Sequence, residues 1–173
     1  MKKEASSKEA SKKEASSKEA SNEMHGKENF AANGKIVVGV DGSTGSIAAL
    51  HWAYNEAQVR NCRLEILSAW HFPVAVSMPG MLAMPAPEDL QDSTRASLLR
   101  LLQKEGVTAD GPVEVTTAVG EGNAAELLLT ACKNADLLVV GSRGHGGFGG
   151  LLLGSVSQQC VTHAKCPVVV VHS

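Results

Sequence analysis

The sequence predicts an α/β fold: a five-stranded open parallel sheet, doubly wound, with helices on both faces. Three observations predict it. Short, largely apolar runs recur at 36–40, 64–70, 137–140 and 168–171, and the first is apolar on both faces, as a central parallel strand would be. Segments with apolar residues at helical spacing separate them. The two kinds of segment alternate strictly, β-α-β-α-β-α-β-α-β, an order that favours a parallel sheet between helical layers with right-handed crossovers. The order of strands within the sheet is not legible.

Ile36-Val37-Val38-Gly39-Val40 is the first strand, and Asp41-Gly42-Ser43 turns it into a helix with Ser43 or Thr44 available as N-cap. Ile47, Leu50, Ala53, Tyr54 and Ala57 follow helical spacing, and Leu64 to Trp70 forms the second strand. Residues 71–87 hold four Pro and three Met, too much proline for a core strand and too much apolar surface for an ordinary linker. A helix resumes near Glu88 and stops at Gly106; Val113 to Val119 alternates as a third strand. Ala124 to Ala131 is a short helix, Leu137 to Val140 a fourth strand, and Ser155 to His163 a last helix before the run Val168–Val171.

The first 34 residues differ in kind. KKEASSKEAS at 2–11 is repeated unchanged at 12–21, and its only apolar residue, Ala, recurs every five positions. That period winds Ala around a helix instead of stacking it on one face. Residues 1–34 are therefore expected to be a solvated extension, disordered or partly helical, of the kind an appended spacer or tag would make, with 35–173 as the folded domain. The extension carries seven Lys against six acids and the remainder nine Lys/Arg against twelve. Neither part is basic enough to suggest nucleic acid as a partner. No apolar run approaches the ~20 residues of a membrane span, and the opening Met-Lys-Lys is not followed by the apolar stretch of a signal peptide. Cys62, Cys132, Cys160 and Cys166 form no C-x-x-C pair and no zinc-finger spacing. They read as reduced, mostly buried thiols of a cytoplasmic protein.

The densest chemical signal joins the fourth strand to the last helix. Seven of the fifteen residues Gly141–Ser155 are glycine. Without Cβ, their N–H groups can close on an anion, and the helix that opens at Gly154-Ser155 presents free N–H groups and a positive dipole end. Two familiar loops fail here. Gly144-His145-Gly146-Gly147-Phe148-Gly149 spells G-x-G-x-x-G, but it follows the fourth strand and no acid lies downstream to hold a ribose. Leu153-Gly154-Ser155 lacks the Lys of a P-loop.

A third pattern fits: Gly141, two residues, Gly144, nine residues, then Gly154-Ser155. It resembles the G-2x-G-9x-G-(S/T) motif of ATP-binding, single-domain universal stress proteins. The resemblance covers 35–173 and includes IVVGVDGS, ALHWA, ADLLVVGSRG and LLLGSVSQQCVTHAKCPVVVV. It implies the adenine nucleotide alpha-hydrolase-like fold and a nucleotide site. Asp41 matches the acid that lies against the nucleoside, with helix capping as its competing role. Ala69 matches the second-strand position whose backbone meets the adenine edge. Gly141 and Gly144 match the glycines under ribose and phosphates, and Gly154, Ser155 and Val156 the phosphate-binding helix start. Arg143 has two readings, a phosphate contact or a solvated loop side chain. His145 reads as an exposed, passive side chain, with proton transfer as the alternative. Ser43 and Thr44 could reach a phosphate or a phosphate-bridging Mg²⁺ or Mn²⁺ ion near Ser43, but capping explains them.

The resemblance further implies a homodimer paired through Val168–Val171, and a variable insertion at 71–87. The expected function is ATP binding in stress response or regulation, with little or no hydrolysis and no assigned catalytic residue. The alternatives are a slow ATPase or molecular switch, a nucleotide-free dimeric scaffold, and an AMP or cyclic AMP binder.

Overall fold

Lys35–Gly39 (β1) lies in the middle of a five-stranded parallel sheet. The computed structural model of the chain describes residues 34–71, 86–145 and 152–172. After β1 come helix α1 (Thr44–Arg60), β2 (Arg63–Trp70), α2 (Pro87–Lys104), β3 (Val115–Glu121) and α3 (Ala124–Ala131). A 3₁₀ turn (Cys132–Asn134), β4 (Leu137–Gly141), α4 (Ser155–His163) and β5 (Val168–Val171) complete the order. The repeated extension, most of the Met/Pro segment and Gly146–Leu151 of the glycine loop lie outside the described residues.

The strand order is β3-β2-β1-β4-β5. Lys35 to Gly39 pair with Arg63 to Leu67 on one side, and Ile36 to Val38 with Leu137 to Val139 on the other. The chain winds outward from β1 to β3, then returns past β1 to β4 and β5. The winding direction thus reverses between β1 and β4.

Successive strand residues serve opposite layers, which is why the runs are apolar without alternation. Ile36, Val38 and Val139 pack with Ala49, Leu50 and Ala53 of α1 and with Leu98 and Leu102 of α2. Val37, Leu138 and Val140 pack on the other face with Leu128 of α3 and Cys160 of α4. Ile36, Leu50, Leu64, Ile66 and Leu138 are fully buried, each worth about 1.5–3 kcal/mol by transfer.

The helix ends follow local chemistry. Ser43, not Thr44, caps α1: its hydroxyl accepts the Ser46 N–H. Asn61 ends that helix in the left-handed conformation at φ 54°, its N–H directed to Ala57 and Gln58 carbonyls. The third strand differs from the expectation of 113–119. Val113 is buried but precedes the strand, which runs from Val115 to Glu121. Pro112 has no N–H to give a ladder, and pairing begins where Leu64 stands opposite Val115. No helix among the described residues is long and apolar enough to cross a membrane.

Candidate functional site

Where the winding reverses, a cavity of about 690 Å³ opens at the carboxyl ends of β1 and β4. Open α/β sheets place their ligands at such a point. Asp41, Ala69, Gly141, Arg143, Gly144, Gly154, Ser155 and Val156 all line this one cavity, although they come from three strand ends and a helix start.

Glycine is demanded here by close approach of backbone to backbone. A Cβ on Gly141 would stand 2.5 Å from the Gly45 carbonyl carbon and 2.8 Å from the Ser46 nitrogen. A Cβ on Gly45 would stand 2.6 Å from the Arg143 carbonyl oxygen. The first turn of α1 therefore rests directly on the strand end and loop that follow β4. A Cβ on Gly144 would collide with Asp41 Oδ2. Gly154 is different: its nearest neighbours would be Arg143 Cα at 3.4 Å and the Ser142 oxygen at 3.5 Å, ordinary contacts.

Hydrogen bonds fix the loop. The Gly154 N–H and the Ser157 hydroxyl both donate to the Ser142 carbonyl, at 2.7 and 2.9 Å. The Ser142 N–H in turn donates to Val171 at 2.7 Å, tying the loop to β5. Gly154 is the N-cap residue of α4 and has no side chain to occupy the first-turn N–H groups, which leaves that positive end to face the cavity.

Asp41 is braced from one side. The Ser43 N–H and hydroxyl donate to its Oδ1 at 2.9 and 2.6 Å. Its Oδ2 faces Gly144 and lies 3.6 Å from His145 Nδ1. Burial pushes the carboxyl up, but hydrogen bonds from Ser43 and Ser46 and the nearby His145 outweigh it and hold Asp41 below its ordinary value. Asp41 is thus a fixed acceptor and a weak base. Its capping alternative is met indirectly, since it steadies the Ser43 that caps α1. His145 is exposed, as expected, yet it is paired with Asp41.

Three further contributors escaped sequence reasoning. Ser46, 5% exposed, lines the cavity and accepts the Asp41 and Gly42 N–H groups at 3.3 and 3.1 Å. Gly39 lines it because its missing side chain makes room for Leu128. His71, just past β2, lines it beside Ala69. None of the three is marked by local spacing.

Among the described residues, no group of three His, Cys, Asp or Glu side chains could hold a metal ion. Ser43 spends its hydroxyl on Asp41 and on the Ser46 N–H. The donor set therefore fits an ion carried in by phosphates better than one held by the protein alone.

Together these features define a doubly wound α/β protein with a glycine-rich cavity at its switch point. The chain belongs to the universal stress protein family, whose model matches residues 32–172. It is 35% identical over 140 residues to a universal stress protein of Mycolicibacterium smegmatis, covering 79% of this chain and 47% of that one. It spans about half the length of the curated relatives it matches. Its fold superposes on universal stress protein UspA from Lactobacillus plantarum with a TM-score of 0.62, 25% identity, and coverage of 82% of this chain and 99% of that one. A universal stress protein solved in complex with cAMP gives a TM-score of 0.55 at 28% identity, with 82% and 98% covered. The fold is the adenine nucleotide alpha-hydrolase-like one of these proteins.

Proposed function

We propose that this chain binds an adenine nucleotide, ATP first, as a regulatory protein of the cytoplasmic stress response. The observation that carries the reading is the convergence of all eight residues of the glycine pattern and its partners on one cavity. The α4 start at Gly154, Ser155 and Val156 would take the terminal phosphates through backbone N–H groups. Gly141 and Gly144 would lie under the ribose and first phosphate, with Arg143 reaching the phosphates from the rim. Asp41 Oδ2, left free by Ser43, would accept a ribose hydroxyl. The Ala69 backbone would meet the adenine edge.

A phosphate-bridging Mg²⁺ or Mn²⁺ would enter with the nucleotide, near Ser43. Hydrolysis would be slow or absent. Asp41 is held as a poor base, and among the described residues no lysine lines the cavity. The cAMP complex of a 28% identical relative supports a second ligand, a nucleoside monophosphate, in the same site.

The folded unit would be 35–173, with 1–34 an appended extension. It would pair with a second copy through Val168–Val171. All four valines are half-buried and stand at the sheet edge, where an apolar strand calls for cover.

Calorimetric titration with ATP, AMP and cAMP tests the reading, using the native chain and Gly154→Val. Saturable binding of at least one nucleotide, lost in the variant while its melting transition persists, is expected. Failure of all three to bind would overturn it.

A further inference from the structure

The cavity has two chemically different sides. Around β1 and β4, Asp41, Arg143, His145 and Ser155 bring polar groups to it from the turn after β1, the loop after β4 and the start of α4. Toward β2 and α3 it is lined by Leu67, Ala69, Ala124 and Leu128, which offer apolar surface. Among the described residues, His71 is the one polar side chain on that second side. Strand alternation accounts for its place. Leu64 and Ile66 face the α1 and α2 layer and Leu67 the α3 and α4 layer, so Ala69 and His71 follow Leu67. All three line the cavity.

The main chain opens at the same point. The Leu67 carbonyl accepts the Val40 N–H on the β1 side, and the Trp70 carbonyl accepts the Gly122 N–H on the β3 side. Alternation therefore turns the Ala69 main-chain groups toward β1, but the ladder between β1 and β2 ends at Gly39 and Leu67. A donor and an acceptor are left to the cavity beside the imidazole. His51 and His145 each face a carboxylate, at 2.8 and 3.6 Å. The His71 ring is exposed, and among the described residues no hydrogen bond or ion pair engages it.

We propose that His71 is a specificity-determining residue of this site, its imidazole stacking on the face of a purine whose edge meets Ala69. The proposal rests on the reading of the cavity as an adenine-nucleotide site. Stacking needs an aromatic plane with no other partner, a neighbouring hold on the base edge, and apolar surface for the opposite face. His71, the open Ala69 main chain and Leu128 supply these in turn. A purine presents two fused rings to the imidazole and a pyrimidine one, so the contact favours purine nucleotides. The groups suited to phosphate lie on the β4 side, so His71 adds affinity for the base and none for the phosphates.

The test is calorimetry on the full chain with ATP, adenosine and CTP, comparing the native protein with His71→Ala and His71→Phe. His71→Ala should weaken ATP and adenosine by the same factor, about tenfold, as a base losing an aromatic partner does. The loss for CTP should be smaller, and the melting midpoint should not move, because the ring is exposed and unbonded. His71→Phe keeps the plane without the ring nitrogens and should bind ATP as the native chain does. Loss of ATP affinity with adenosine spared would make His71 a phosphate contact instead. A Phe variant as weak as the Ala variant would make it a hydrogen-bonding group. Unchanged ATP affinity in His71→Ala would leave it no part in binding. Each of these overturns the proposal and leaves the cavity reading standing. A native chain that binds none of the three ligands overturns both.

Discussion

Asp41 Oδ2 occupies the space that a side chain on Gly144 would need. The two residues are a hundred positions apart in the chain. Yet the carboxylate lies against the bare face of that glycine while its other oxygen is held by Ser43. Gly144→Ala would force Asp41 to swing and break the Ser43 bonds. Nucleotide affinity should fall at least tenfold, about 1.4 kcal/mol, with a far smaller change in melting temperature. Calorimetry alongside thermal denaturation reads both quantities.

The glycines of the motif should separate cleanly by their steric roles. Gly141→Ala drives a methyl into the backbone of α1 at Gly45 and Ser46, an overpacking that should cost about 1–3 kcal/mol of stability. Gly154→Ala meets only ordinary contacts. It should cost no more than about 1 kcal/mol, the loss of a favourable N-cap residue. Denaturant midpoints for the two variants decide this. Equal destabilisation would contradict the packing described.

Asp41 should leave a signature in acid. Its value is depressed in the folded protein, so the stability it contributes is present above the ordinary carboxylate value, near 3.9. That contribution is lost as pH falls through the folded value. The melting-point gap between the native chain and Asp41→Asn should hold at neutral pH and shrink below about pH 4. A gap that widened in acid would reverse the assigned sign.

In alkali the thiols take over. Cys160 is pushed up to about 11 by burial and then by Cys132. The unfolded chain gives up this proton earlier, near pH 8.5. Stability should therefore decline through that window as pH rises, and level off above the folded value. Cys160→Ala should flatten the decline, at a cost of about 1 kcal/mol for the cavity left behind. Denaturation midpoints between neutral pH and pH 11 follow it.

The proposed dimer can be probed through main-chain direction. The Pro167 and Val171 carbonyls accept hydrogen bonds from Leu138 and Ser142. Residues 167, 169 and 171 thus point their backbone groups inward, and Val168 and Val170 point theirs outward. Val170→Pro removes an outward N–H and leaves the internal ladder whole. Light scattering should find a folded monomer for this variant and a dimer for the native chain. A native monomer would sink the pairing.

Sequence reasoning reached the order of elements, and the structure agrees, because β1 and β4 are apolar on both faces, β2 is largely apolar, and each is followed by a turn or helix signal. It placed the third strand two residues early. Val113 is as buried as a strand residue, and only the partner across the ladder, Leu64, reveals where pairing begins. Gly141, Gly144, Gly154 and Ser155 could be named in advance because their spacing within one loop is itself a pattern, and Asp41 and Ala69 through the family resemblance. Gly45 and Ser46 could not. Their role exists only once Arg143 and Gly141, nearly a hundred residues later, come to rest on them.

The first turns of α1 and α4 reach the cavity from opposite sides of the sheet. Anything seated between them would touch both helical layers at once. The strands lie between those layers, so an occupant would act as a rivet through the whole sandwich. Amides far from the mouth, in α1 and α4 alike, should then exchange with solvent more slowly when it is filled.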